Sequence, residues 1–116
     1  MNKKNYINRQ NPASFNWYGG KAPLLSHLDI ELTERCNNNC IHCYINLPEQ
    51  NKQAKSQELN TEQWKGIINQ AADLGALSIR LSGGEPLLRV DFAEIYLFAR
   101  CLGIEVIIFT NARLIT

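Results

Sequence analysis

The chain has 116 residues, enough for one domain at most, and its 12 Lys and Arg nearly balance its 11 Asp and Glu. The resulting net charge of +1 provides neither the basic surface that nucleic acids bind nor an acidic tail. A hydrophobic fraction of 45% is ordinary for a globular chain, and no apolar run approaches the length of a membrane span, so we expect no nucleic-acid partner and no membrane insertion.

The chain divides into an N-terminal leader, residues 1–26, and a core, residues 27–116. The leader begins with the basic pair Lys3 and Lys4, but the mostly polar residues 5–10 follow where a signal peptide would have an apolar stretch. We therefore predict no signal peptide, and we expect the leader to pack against the core.

Residues 27–33 alternate between apolar and polar side chains, and this period of two predicts a β-strand. Ile30 and its apolar neighbours lie on one face, whereas Asp29 and Glu31 lie on the other. In a closed barrel the acidic face would line a polar interior. In a partial sheet it would meet solvent, and both interpretations are open.

Cys36, Cys40 and Cys43 follow this strand with the spacing C-x3-C-x2-C. Soft sulfur ligands select zinc, copper(I) or iron–sulfur clusters. A structural zinc site needs four protein ligands, and a cubane held only by protein needs four cysteines. Three cysteines would leave one iron available to a ligand that is not protein. Their crowding on one loop favours metal binding over disulfides, and hence a reducing, cytoplasmic location.

Residues 48–58 are polar and are interpreted as a solvated loop. An apolar stripe with helical spacing follows and predicts a helix. The helix is expected to begin at Asn60 or Thr61, with Gln63 completing a capping box, and to end at Gly75. Nothing in this helix indicates chemistry, so we interpret it as a crossover between strands.

A second strand is predicted over residues 77–82, which alternate in the same way as the first strand. It ends directly in Gly83-Gly84-Glu85-Pro86, here called the diglycine strip. Glycines without side chains would let the backbone approach a ligand closely. A Gly-Gly pair could equally be an ordinary turn.

A second helix is predicted from Asp91 to Gly103, with Glu94 placed to form another capping box. A third strand, residues 105–110, follows and ends at Asn111. The order is therefore β-α-β-α-β, typical of an α/β fold with a parallel sheet. The loop that carries the three cysteines, residues 33–44, is here called the cysteine loop. Because parallel strands end at one edge of a sheet, the cysteine loop, the diglycine strip and Asn111 should meet there.

Together, the motifs Cys36-Asn-Asn-Asn-Cys40-Ile-His-Cys43 and Ser82-Gly-Gly-Glu-Pro86 resemble those of the radical S-adenosylmethionine (SAM) superfamily. The resemblance runs from about Leu28 to the C-terminus. The sequence departs from the family pattern at one position, where it has His42 and an aromatic residue is commoner. The resemblance implies a partial (β/α)6 TIM-type barrel, of which this truncated core holds the first half.

By this resemblance, Cys36, Cys40 and Cys43 ligate a [4Fe-4S] cluster whose fourth iron is chelated by SAM. An electron donor such as flavodoxin or ferredoxin would supply one electron. Reductive cleavage of SAM would give a 5′-deoxyadenosyl radical, which abstracts hydrogen from a peptide or small-molecule substrate. The motifs are most similar to those of peptide-modifying and cofactor-maturing members.

The resemblance also implies which residues bind SAM. Gly83, Gly84 and Glu85 would hydrogen-bond the methionyl ammonium group, and His42 would lie against the adenine. Asn111 could reach the cofactor or the substrate, or it could be an ordinary residue at a strand end.

Two alternatives to an active enzyme remain open from the sequence. One is a non-catalytic, cluster-binding fragment of such an enzyme. The other is a zinc-stabilised interaction module that uses His42 or Cys101 as its fourth ligand. Cys101 is expected on the surface of the second helix, facing away from the sheet.

Overall fold

A computed structural model of the chain describes residues 24–41, 43 and 47–116. Most of the predicted leader, and His42 with its predicted contact to adenine, lie outside the described residues. The elements in chain order are β1 His27–Glu31, β2 Arg35–Cys36, β3 Leu47–Pro48, α1 Lys52–Gln57, α2 Thr61–Asp73, β4 Ser78–Ser82, a 3-10 turn Pro86–Leu88, α3 Phe92–Cys101 and β5 Glu105–Ile108. Within these ranges no helix is both long and apolar enough to cross a membrane.

Strands β1, β4 and β5 form a three-stranded parallel sheet with β4 in the centre. In its register, Leu81 of β4 pairs with Ile30 of β1 and with Ile108 of β5. The predicted α/β fold with β-α-β-α-β order is confirmed. Because the strands are parallel, their carboxyl ends share one side of the sheet, here called the C-terminal edge. The short strands β2 and β3 form a separate parallel pair.

The hydrophobic core lies between one face of the sheet and the two long helices. Ile79 and Leu81 of β4 are fully buried, as are Ile68 of α2 and Ile95 of α3. These side chains follow the predicted periods of two and of 3.6 residues, so local pattern and burial agree. The opposite, polar face of the sheet carries Asp29, Arg80 and Ser82 and borders a cavity of about 920 Å³.

The helix caps confirm one prediction and correct another. Asn60 and Gln63 form the expected reciprocal capping box at the start of α2. Asp91 makes no side-chain capping bond at the start of α3, so the second predicted capping box is wrong. Its carboxylate instead accepts hydrogen bonds from Arg89 and Thr61, which both lie outside α3.

The prediction that residues 48–58 form only a solvated loop is also wrong. They contain the short helix α1, whose N-cap Asn51 accepts a hydrogen bond from the backbone N–H of Ala54 at 2.8 Å. Ala54 is buried, so tertiary packing supports a helix that is too short to be stable by itself.

Candidate cluster and cofactor site

The cysteine loop and the diglycine strip run side by side at the C-terminal edge. The backbone N–H of Gly84 donates to the carbonyl oxygen of Thr33 at 2.7 Å, and that of Glu85 donates to Arg35 O at 2.8 Å. The two segments therefore continue the pairing of β1 with β4 beyond the ends of the strands. This is the meeting point expected from the strand order.

Both glycines of the strip are required by this close approach. An ideal Cβ would lie 2.3 Å from the carbonyl oxygen of Thr33 if placed on Gly83, and 2.2 Å from that of Arg35 if placed on Gly84. Gly83 also has a φ of 135°, which residues with a side chain rarely adopt. The two glycines thus allow the diglycine strip to pack closely against the cysteine loop. They also line the 920 Å³ cavity. Their contact with a ligand stays a prediction.

Glu85 is fully buried, and its carboxylate joins the diglycine strip to the end of β5. It accepts hydrogen bonds from the hydroxyl of Thr110 at 2.6 Å, from the backbone N–H of Asn111 at 2.8 Å and from that of Leu87 at 3.1 Å. Three donors satisfy much of a buried carboxylate's capacity to accept hydrogen bonds. Contact between this side chain and a ligand ammonium group stays a prediction.

The three cysteines of the loop differ in their surroundings. Cys36 is half-buried, and its sulfur accepts the backbone N–H of Asn38 at 3.4 Å, whereas Cys40 and Cys43 are exposed. Within the described ranges, no three His, Cys, Asp or Glu side chains are grouped closely enough to hold a metal ion. Three thiols on one loop fit an iron–sulfur cluster in the type of donor. Ligation of a cluster by these thiols stays a prediction.

Cys101 is exposed on α3, as predicted. Asn111 lies beside the cysteine loop, with its side-chain Nδ2 at 3.8 Å from the sulfur of Cys36. The structure therefore brings Cys36, Gly83 to Glu85 and Asn111 together at one edge. The predicted contacts of Asn111 with cofactor or substrate stay predictions.

A largely buried ionic network, which no sequence pattern signals, lies next to the cysteine loop. Arg35 donates from Nε to Glu58 Oε1 at 2.6 Å, and the hydroxyl of Thr33 donates to the same oxygen at 2.5 Å. Burial alone would raise the pKa of Glu58, but the hydrogen bonds from Arg35 and Thr33 outweigh it and hold that pKa below its usual value. Glu58 is therefore charged near neutral pH.

Arg89 extends this network to the start of α3. Its guanidinium donates to both carboxylate oxygens of Asp91, at 2.8 and 2.7 Å, and to the carbonyl oxygens of Leu32 and Leu59. The hydrogen bond from Arg89 lowers the pKa of Asp91 to about 2, against an opposing effect of burial. No spacing rule signals this network, since Arg35 and Glu58 are 23 residues apart and Arg89 and Leu32 are 57 apart.

The polar face of the sheet borders the cavity with a charged and aromatic surface. Arg80 Nη1 donates to Asp29 Oδ2 at 3.3 Å, and its guanidinium lies 4.6 Å from the ring centre of Phe109. Arg80 is therefore paired with an acidic side chain of the neighbouring strand. Glu31, Gly83, Gly84 and Asn111 line the same cavity. The cavity is thus polar on the side where the predicted site residues lie.

Comparisons of this chain with known proteins all indicate the same family. Residues 30–116 match the family model described as the radical SAM superfamily. The Fe-coproporphyrin III synthase of Methanosarcina barkeri is 41% identical over 88 residues, which are 72% of this chain and 20% of that protein. The PqqA peptide cyclase of Rhizobium meliloti is 46% identical over 81 residues, which are 70% of this chain and 21% of that protein.

Similar solved structures indicate the same family as the sequence relatives. The crystal structure of Streptococcus suis SuiB superimposes with a TM-score of 0.65 at 31% identity, covering 81% of this chain and 20% of that chain. The structure of SuiB bound to S-adenosylmethionine gives a TM-score of 0.64 with the same coverage. The chain spans about a fifth of the length of the curated relatives that it matches.

Proposed function

Because the chain belongs to the radical SAM superfamily, whose members are enzymes that use a [4Fe-4S] cluster and S-adenosylmethionine, we propose that its C-terminal edge binds both cofactors. The observation that carries this proposal is the meeting of three segments there. Backbone hydrogen bonds join the cysteine loop to the diglycine strip, and the buried carboxylate of Glu85 joins that strip to Asn111.

In this proposal Cys36, Cys40 and Cys43 hold three irons of the cluster. The backbone of Gly83 and Gly84, which borders the cavity, receives the methionyl part of SAM. The carboxylate of Glu85 keeps the strip in place through its three hydrogen bonds. His42 is proposed to lie against the adenine, and Asn111 to contact the cofactors from the end of β5.

When bound, the cofactors supply a one-electron cleavage of the sulfonium C–S bond, which gives methionine and a 5′-deoxyadenosyl radical that takes a hydrogen atom from the substrate. The electron comes from a reductant, which we propose to be a flavodoxin or a ferredoxin. The protein's part is to position the reactants and to exclude water. We place the chain in the cytoplasm, because exposed thiols are maintained in a reducing compartment.

We propose that the substrate is a peptide or a cofactor precursor. The relatives point to this class, since one is named a PqqA peptide cyclase and another an Fe-coproporphyrin III synthase. The polar wall of the cavity, with Asp29 and Arg80 paired across neighbouring strands, suits a substrate with polar groups.

The test is anaerobic reconstitution of the full chain with iron and sulfide, followed by reduction in the presence of SAM. We expect the visible charge-transfer absorption of an iron–sulfur cluster and the formation of 5′-deoxyadenosine. Absorption without 5′-deoxyadenosine would instead support a non-catalytic, cluster-binding fragment. Bound zinc without such absorption would support the zinc-stabilised module.

Two cysteine variants make the test specific. Cys40→Ala should abolish the absorption, since it removes a proposed ligand. Cys101→Ala is the matched control, because this cysteine is exposed on α3, and it should leave the absorption unchanged. Equal absorption in both variants would refute the assignment of the ligands.

A further inference from the structure

A tight turn after β5 directs the chain back toward the cysteine loop. The hydroxyl of Thr110 accepts the backbone N–H of Ala112 at 3.0 Å, and Asn111 Oδ1 accepts that of Arg113 at 3.1 Å. Ala112 has a φ of 62°, a left-handed conformation that residues other than glycine adopt at a cost. The turn therefore contains a strained residue, Ala112, between Asn111 and Arg113.

The side chains of this turn hydrogen-bond the first part of the cysteine loop. Arg113 Nη1 donates to the carbonyl oxygen of Asn37 at 2.8 Å and to Asn38 Oδ1 at 2.7 Å. Asn111 Nδ2 donates to Asn37 Oδ1 at 2.7 Å and lies 3.8 Å from the sulfur of Cys36. These partners are 74 to 76 residues apart in sequence, so the contacts depend on the tertiary fold.

The turn after β5 is anchored to the buried carboxylate of Glu85. The backbone N–H of Asn111 and the hydroxyl of Thr110 both donate to the carboxylate of Glu85, which is fully buried. A side chain supported in this way can hold a flexible neighbour in one geometry. The Cys36 end of the loop therefore has a rigid support.

We propose that Asn111 and Arg113 are positioning residues, which order the Cys36 end of the cysteine loop before any metal binds. We further infer that the amide of Asn111, directed at the sulfur of Cys36, raises the reduction potential of the bound cluster, because hydrogen bonds to ligand sulfurs do so. This second part rests on the proposed function, whereas the first concerns the metal-free chain. Cys40 and Cys43 are exposed, so their end of the loop would complete the site when the cluster binds.

The first test is hydrogen–deuterium exchange of the metal-free full chain. Arg113→Met should make the backbone amides of residues 37–39 exchange roughly tenfold faster, which corresponds to about 1.4 kcal/mol. Arg113→Lys should retain most of the protection, because a single nitrogen of Arg113 makes both hydrogen bonds. Arg100→Met is the matched control, since Arg100 is exposed on α3 and contacts Ile104, and it should leave these amides unchanged. Equal exchange in Arg113→Met and the wild type would overturn the first part.

The second test is a redox titration of the reconstituted chain followed by electron paramagnetic resonance. Asn111→Leu keeps the branched side-chain shape and the backbone N–H to Glu85 but removes the side-chain N–H donors, so its midpoint potential should be lower than that of the wild type. Asn111→Ser, which is smaller and retains a donor, is a second variant in case the leucine perturbs folding, and it should give an intermediate potential. Potentials equal to the wild type in both variants would overturn the role of Asn111.

The two tests also separate this inference from the proposed function. If the wild type takes up no cluster, the proposed function fails, and with it the effect on the potential. The exchange experiment still decides whether Arg113 orders the loop in the metal-free chain.

Discussion

Replacing Gly84 with alanine would place a methyl group against the carbonyl oxygen of Arg35. The ideal Cβ lies 2.2 Å from this oxygen, and ordinary contacts begin at 3.4 Å, so the two segments must separate by roughly 1 Å. The separation would disrupt the hydrogen bonds from Gly84 to Thr33 and from Glu85 to Arg35, now 2.7 and 2.8 Å long. Because a backbone hydrogen bond contributes about 1 kcal/mol net, we expect Gly84→Ala to lower the free energy of unfolding by about 2 to 3 kcal/mol.

The assay is urea-induced unfolding of the full chain followed by far-ultraviolet circular dichroism. Gly66→Ala is the matched control, because Gly66 lies inside α2 and nothing comes within 4 Å of its ideal Cβ. Alanine is favoured over glycine inside a helix, so this control should raise the free energy of unfolding by up to about 1 kcal/mol. A midpoint for Gly84→Ala at or above that of the wild type would refute the reasoning, since the same change would then be tolerated at both sites.

Three further predictions concern the buried polar groups and the helix caps. Arg89 holds the folded-state pKa of Asp91 at about 2, below the unfolded value of 3.8. The resulting contribution to the free energy of unfolding is therefore present above pH 4 and is lost as the pH falls toward 2. Asp91→Asn should remove roughly 2 kcal/mol of this pH-dependent stability in an acid titration of the unfolding free energy. Arg35→Met should cost about 2 kcal/mol in urea unfolding, because it removes the main partner of the Glu58 carboxylate, whose side chain is only 12% exposed. Asn60→Ala should cost about 1 kcal/mol in thermal unfolding, because it removes the capping box of α2.

Each of these predictions has an outcome that would contradict it. An acid profile of Asp91→Asn that overlays the wild type would show that this carboxylate is not held ionised by the fold. For the arginine, Arg100→Met serves as an exposed control, and an equally small loss in Arg35→Met would show that the buried pair is dispensable. A melting temperature of Asn60→Ala equal to that of the wild type would mean that packing alone starts α2.

The sequence by itself determined those features that depend on neighbours along the chain. Alternation in residues 27–33 and 77–82, together with helical periodicity between them, was enough to predict the parallel α/β order, because one face of each element must be buried. The capping box of Asn60 and Gln63 was likewise readable, since its two bonds join residues three positions apart. The meeting of the cysteine loop with the diglycine strip followed from strand direction alone.

Only the tertiary structure decided which polar side chains face each other. Asp91 has the residue type and position of a helix cap, yet its carboxylate accepts hydrogen bonds from Arg89 and Thr61 instead. Thr61 lies 30 residues away in sequence. Likewise, nothing local to Arg113 indicates that it reaches the cysteine loop 76 residues earlier. Periodic patterns encode which face of an element is buried, whereas a hydrogen bond between distant segments depends on distances that exist only after the sheet and helices have packed.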